Sequence, residues 1–210
     1  VARSRQRQAR QDQLRAAAQR AIAQHGIDGV QLTHVAEEAG VSPGTVLYHY
    51  PEVSDLLLQA CVASMERFYS ERQHRLEALD GPVDRLVDLV VSGLPVDSED
   101  VDVRLLCEIG GTAGRHPVHA SLLTSLFDRQ VGMYEVVLEQ GAAQGVFHLG
   151  QPARTVARTI VALEDAYGYR IVAGHPTIDA PAAVDLVLGY ARLATGHALP
   201  STTAARSDGA

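Results

Sequence analysis

Hydrophobic positions recur along this chain at spacings of three and four residues almost from end to end, and they never alternate for more than a few residues. That periodicity predicts an all-α fold with no sheet. Leu14, Ala17, Ala18, Ala21 and Ile22 mark one face of a first helix from Arg10 to His25, and Gly26 stops it. Leu32, Val35, Ala36 and Ala39 give a second helix a narrow apolar face, with Gln31 or Thr33 at its start and Gly40 at its end. Ser42, a favoured N-cap, and Pro43, whose missing N–H costs nothing in a first turn, open a third helix that turns Val46 and Tyr50 inward. A long helix follows from about Val53 to Leu79, apolar in its first half and charged in its second, and Asp80-Gly81-Pro82 ends it. Helices over about 83–94, 103–115, 118–144, 153–173 and 182–197 bring the expected count to nine. The last two are apolar over most of their circumference, as helices buried on more than one side are. Gly110-Gly111 and Gly114 weaken their helix and predict a bend or a close helix contact there.

These elements divide the chain into a basic mobile arm at 1–9, a helix-turn-helix domain at 10–52, a larger helical domain at 53–200 and a disordered tail of small polar residues at 201–210. Within the second segment, Leu32 to Pro51 describes two short helices joined by a tight turn, the geometry that sets a helix into the major groove of DNA. With 210 residues, 46% of them hydrophobic, the chain can bury a proper core. No apolar run approaches the roughly 18 residues of a membrane span, and the basic N-terminus is not followed by the apolar segment of a secretory signal. A cytoplasmic location without a membrane partner is expected. Cys61 and Cys107 lie far apart on helical segments and read as small buried hydrophobes. The net charge of −7 discourages a nucleic-acid reading by itself, but its distribution reverses that inference. All 18 basic residues are arginine, and positions 3, 5, 7, 10, 15 and 20 face only Asp12 within the first 25 residues, so an acidic body carries a basic end.

The run GIDGVQLTHVAEEAGVSPGTVLYHYPEVSDLL, Gly26 to Leu57, resembles the N-terminal domain of the TetR family of bacterial transcriptional regulators. Val35-Ala36, Ala39-Gly40-Val41-Ser42 and Gly44-Thr45 match that family's pattern closely, whereas the later helices resemble it in number, in the connector Gly145-Val146-Phe147 and in the buried final pair. The chain departs from the family at three places. Leu47 stands where a phosphate-contacting tyrosine is usual, Val53 where a lysine opens the fourth helix, and Gln31 where a threonine or serine caps the second.

Taken with the helical spacing, the resemblance implies a regulator that binds double-stranded DNA. Pro43, Gly44, Thr45, Tyr48 and His49 face outward from the third helix, Thr45 towards a base or thymine methyl and Tyr48 and His49 towards phosphates. Gln31, Thr33 and Ser42 at the helix starts and Arg5 and Arg7 in the arm supply further backbone contacts. One such short helix reads only a few base pairs, so a homodimer on a palindromic operator is expected. Its surface is read as Val156, Ile160, Leu163 and Tyr167 with Val184, Val187, Leu188 and Ala191; the alternative is that these residues fill the core of one chain.

A small-molecule effector is implied by the resemblance. Candidate wall residues are Phe68, Cys107, Glu108, Phe127, Met133, Tyr134, Glu164 and Tyr169. Glu164, beside Asp165 in an apolar run, needs a partner if buried: a ligand, or in the alternative Arg158, Arg170 or Arg192 of a second copy. His116 and His119, with His148 and His175 distant, lack a carboxylate or cysteine at ligand spacing, so no metal is assigned. There is no catalytic Ser-His-Asp or Cys-His set and no Gly-rich phosphate loop, so neither enzymatic activity nor a cofactor is expected. The repressor of ligand-dependent release is the family's usual mode; an effector-independent adaptor or architectural protein is the competing reading.

Overall fold

The computed structural model describes residues 2–201, and the side chains of residues 5–201. Among them are nine helices and no strand: α1 Ala2–His25, α2 Leu32–Ala39, α3 Pro43–His49, α4 Val53–Glu77, α5 Pro82–Ser92, α6 Val101–Thr112, α7 Pro117–Ala143, α8 Ala153–Val172 and α9 Ala180–Thr195. No helix is long and apolar enough to cross a membrane. The chain divides into two compact units, Val1–Phe68 with Val101–Leu123 and Tyr69–Asp100 with Thr124–Ala210. Helices α4 and α7 each begin in the first and end in the second.

The first unit is larger than the helix-turn-helix segment read at 10–52, because α6 and the start of α7 belong to it. Its core is built from small side chains. Ala17, Ala18 and Ala21 of α1, Ala36 and Ala39 of α2 and Ala60 of α4 are buried beside Leu14, Ile22, Val35, Val46 and Leu56. Alanine lets short helices approach closely, so three helices of modest length can still exclude water. Cys61 lies fully inside, and burial pushes its thiol up to about 12, which keeps it an inert hydrophobe. Cys107 is only half-buried, so the expectation of a core position holds for one cysteine alone.

Residues 1–9 were expected to be a mobile arm. Instead α1 begins at Ala2. The stretch has no hydrophobic period, but arginine, glutamine and alanine are strong helix formers, and side chains one turn apart support one another: Gln8 donates to Asp12, Arg10 to Gln13, and Arg15 pairs with Asp12. The expected tail at 201–210 lies, after Ser201, outside the described residues.

The second unit is a conventional apolar core. Leu86, Leu89 and Val90 of α5 meet Val131, Tyr134, Val137 and Leu138 of α7, Val156, Ala157, Ile160 and Val161 of α8, and Val184, Val187, Leu188 and Ala191 of α9. This corrects the dimer reading for six of its eight residues. Val156, Ile160, Val184, Val187, Leu188 and Ala191 are buried inside one chain, and Leu163 and Tyr167 are half-buried against the same core. Both helices are apolar on two sides, and the sequence period does not say which side meets its own chain.

The glycines also sort differently from expectation. A Cβ at Gly110, Gly111 or Gly114 would meet nothing within 4 Å, so no close helix contact explains them. The tight positions are elsewhere. A Cβ at Gly141 would overlap the ring of Phe147, whose backbone N–H folds back to the Gly141 carbonyl at 3.1 Å, and one at Gly93 would overlap the Glu164 carboxylate.

Candidate DNA-binding surface

Helix α3 is held by its ends and by two anchors. Ser42 has extended backbone, and its Oγ accepts the Thr45 N–H at 3.2 Å, while Pro43 fills the first turn. Val46 is fully buried, Tyr50 nearly so, and the Tyr50 hydroxyl donates to Gln59 Oε1 of α4 at 3.2 Å. The turn before the helix depends on Gly40, whose φ of 64° lies in the left-handed region and whose N–H reaches the carbonyls of Ala36 and Glu37. Gln31 is the N-cap of α2, and the His34 ring accepts its backbone N–H at 3.2 Å, a device that replaces the customary threonine or serine cap; Thr33 lies inside the helix.

With Val46 and Tyr50 inside, Pro43, Gly44, Leu47 and Tyr48 are left exposed, Tyr48 at 80%. Thr45 and His49 are half-buried. The Thr45 hydroxyl lies 3.0 Å from that of Ser42, and the His49 ring stands edge-on to Tyr48, 5.1 Å between centroids. The residues read as the DNA face therefore stand together on one short helix, with Tyr48 the most exposed of the aromatic pair. Arg5 and Arg7 are exposed on the first turns of α1.

Two acids of α6 fasten that helix to the reader, a role the sequence did not signal. Glu108 accepts the Ile27 N–H at 3.1 Å just after the left-handed Gly26, where a Cβ would come within 3.0 Å of the same carboxylate. Asp102 accepts from Nε and Nη2 of Arg67 and from the Ser64 hydroxyl of α4, and Arg67 also reaches Gln19 of α1 at 3.3 Å. Arg115 adds a surface pair with Asp28 at 3.1 Å.

The residues read as effector walls divide between the units. Phe68, Cys107 and Glu108 lie in the first, and Phe127, Met133, Tyr134, Glu164 and Tyr169 in the second. Glu164 is buried, as expected of an acid in an apolar run, but its partner is Arg72 of α4 at 3.2 Å rather than Arg158, Arg170 or a second copy's Arg192. The Tyr134 hydroxyl donates to Glu164, and Arg72 donates to the Leu89 carbonyl at 2.8 Å. Burial pushes the Glu164 carboxyl up to about 7 against the pull of Arg72 and the Tyr134 hydrogen bond, and burial also raises Tyr134. Tyr134 and Glu164 are thus engaged with each other and with Arg72. Tyr169 is half exposed on the surface of α8, and so does not share their buried setting. Arg72 had a signal in the sequence: it continues the stripe of Met65, Tyr69 and Leu76 at helical spacing, which places it on the buried side of α4.

His119 Nδ1 lies 2.8 Å from the Thr112 hydroxyl and its ring 5.0 Å from His116; burial, then His116, lowers its pKa. No group of three or more histidine, cysteine or acidic side chains placed to hold a metal ion occurs among the described residues.

Residues 14–60 match the family model described as bacterial regulatory proteins, tetR family. No curated protein matches the sequence significantly. Among solved structures, a TetR-family transcriptional regulator from Rhodococcus sp. shares 25% identity, covering 89% of this chain and 98% of its own with a TM-score of 0.76. A transcriptional regulator from Saccharomonospora viridis, solved with choline, is 24% identical over 86% of this chain and 94% of its own, TM-score 0.79. FadR of Bacillus subtilis, solved with stearoyl-CoA, shares the fold at 16% identity over 89% and 98%, TM-score 0.67. Residues 14–60, which contain the helix-turn-helix, thus carry the tetR-family pattern, and the helices that follow share their fold with these regulators over nearly their whole length.

Proposed function

We propose that this regulator is a repressor that binds a palindromic operator as a homodimer and is released by a small-molecule effector. The observation that carries the DNA half is α3 itself, capped at Ser42, anchored by Val46 and Tyr50, and turned outward at Pro43, Gly44, Leu47 and Tyr48. Tyr48 and His49 donate to phosphates on this reading, Thr45 contributes at the base edges, and Gln31, Thr33 and Ser42 approach the backbone. Arg5 and Arg7, held on a helix rather than a loose arm, neutralise further phosphates.

A symmetric pair places two such helices about 34–36 Å apart, one turn of the duplex. The surface for that pair moves to the outer side of the last two helices. Ala162, Ala166 and Tyr169 follow one another on α8, and Leu186 and Leu193 on α9 are 49% and 85% exposed. An apolar strip of that kind is unusual on a solvated face.

The effector half draws support from relatives whose structures hold choline in one case and stearoyl-CoA in another. The effector is taken by helices beyond the reader. Its binding favours a conformation in which α4, shared by both units, no longer holds the paired readers at the groove spacing. Cytoplasmic action is part of the same reading.

The test begins with selection of bound sites from random duplex DNA by the full chain. A palindrome is the expected product. Thr45→Ala combined with Tyr48→Ala should then abolish the gel shift on that site while leaving the dimer's elution volume unchanged. Retained sequence-specific binding by the double variant would sink the assignment of α3.

A further inference from the structure

Leu47 is the one aliphatic side chain that α3 leaves exposed, at 40%. Its setting is unlike that of a stray surface leucine. Side chains on a helix lean towards its N-terminus and cover the turn before them, and the residue one turn before Leu47 is Gly44. Gly44 has no side chain, and a Cβ added there would meet only Ser42 Oγ, at 3.8 Å. The leucine therefore lies over a bare patch of helix that a partner can approach closely. Around it, Thr45 is half-buried with its hydroxyl 3.0 Å from that of Ser42, and His49 is half-buried against Tyr48. Beyond Pro43 in its first turn, the exposed side chains of α3 are thus Leu47 and Tyr48.

Their chemistries divide the work. Tyr48 has a hydroxyl to give to a phosphate oxygen. Leu47 has no polar atom, so contact with a phosphate would only desolvate charge against hydrocarbon. In the major groove the apolar feature that projects from the base edges is the C5-methyl group of thymine. We propose that Leu47 determines operator sequence by packing against a thymine methyl in each half-site, over the gap left by Gly44. This rests on α3 being the DNA reader and names a specificity-determining residue within it.

The experiment uses the full-length protein and the site recovered from random DNA. Each thymine in turn, together with its palindromic mate, is replaced by deoxyuridine, which differs only in lacking the methyl group, and affinity is measured by fluorescence anisotropy for the wild type and for Leu47→Ala. At one symmetric thymine pair the wild type should lose about fourfold per half-site, the worth of one buried methyl-sized group. Leu47→Ala should bind the two versions of that site equally. Because Leu47 is exposed, the variant is expected to keep the wild-type circular dichroism spectrum. Leu47→Met, which keeps an apolar chain of similar reach, should retain the methyl preference. A site at which no thymine methyl is felt more by the wild type than by Leu47→Ala would overturn the inference while leaving α3 as the reader. Failure to recover any site would overturn both.

Discussion

The two units are closed by opposite kinds of polar contact. In the first, α6 is tied to α1 and α4 by acids that keep a foot in water: the side chains of Arg67 and Asp102 are 43% and 23% exposed, and Glu108 grips a single backbone N–H at the end of α1. In the second, Arg72 and Glu164 are both sealed, and Tyr134 and the Leu89 carbonyl add further hydrogen bonds to the pair. Water competes for the first set at every moment and never for the second. Contacts of the first kind can be exchanged at small cost, whereas the second unit commits to one arrangement.

The contrast is most exposed to Arg72→Met. Removing one member of a buried pair strands the other charge, so this variant should lose about 3–5 kcal/mol in chemical denaturation. Arg72→Met with Glu164→Leu should recover most of that loss, since an apolar pair of similar volume strands nothing. A single variant that loses less than 1 kcal/mol, on the scale of a surface pair, would erase the difference between the units.

A second, smaller effect follows from pH. The folded state holds the Glu164 proton up to about 7, whereas an unperturbed glutamate releases it near 4.5, so between these values the native chain binds more protons than the unfolded one. The stability contributed by this group is complete below about 4.5 and is lost as pH rises to about 7. Glu164→Gln should flatten that part of the stability profile relative to the wild type. Parallel profiles for the two proteins would place the titration elsewhere.

The smallest expected change sharpens the other side. Asp102→Asn keeps the shape of the α6 clamp but removes its charge, and should cost under about 1 kcal/mol, shrinking further as salt rises. A loss as large as that of Arg72→Met would mean that the first unit is sealed as firmly as the second.

The helices were legible because each carries its own instructions: apolar residues at helical spacing, Ser42 with Pro43 at a start, and Gly26 and Gly40 at ends. The same local reading turned Val46 and Tyr50 inward correctly. It failed where two segments had to be brought together before the answer existed. Nothing near Glu164 names Arg72 as its partner, and the pair is joined only when α4 and α8 pack on one core. Likewise Val187 and Leu188 read as interface, with core as the alternative, until α5 and α8 are seen packed against their helix in one core. The start of α1 was missed for a different reason, because intrinsic propensity and pairs such as Gln8 with Asp12 can carry a helix without any apolar face.

Gly93 gives the buried pair a reach beyond its own two residues. The helix α5 ends at this glycine, and the space a methyl group would need is already taken by the Glu164 carboxylate and the Arg72 guanidinium. An alanine at position 93 would therefore have to push the Glu164 carboxylate and the Arg72 guanidinium out of their present arrangement. Three sites scattered across the sequence are in this way coupled, since a side chain at 93 has to displace the pair at 72 and 164.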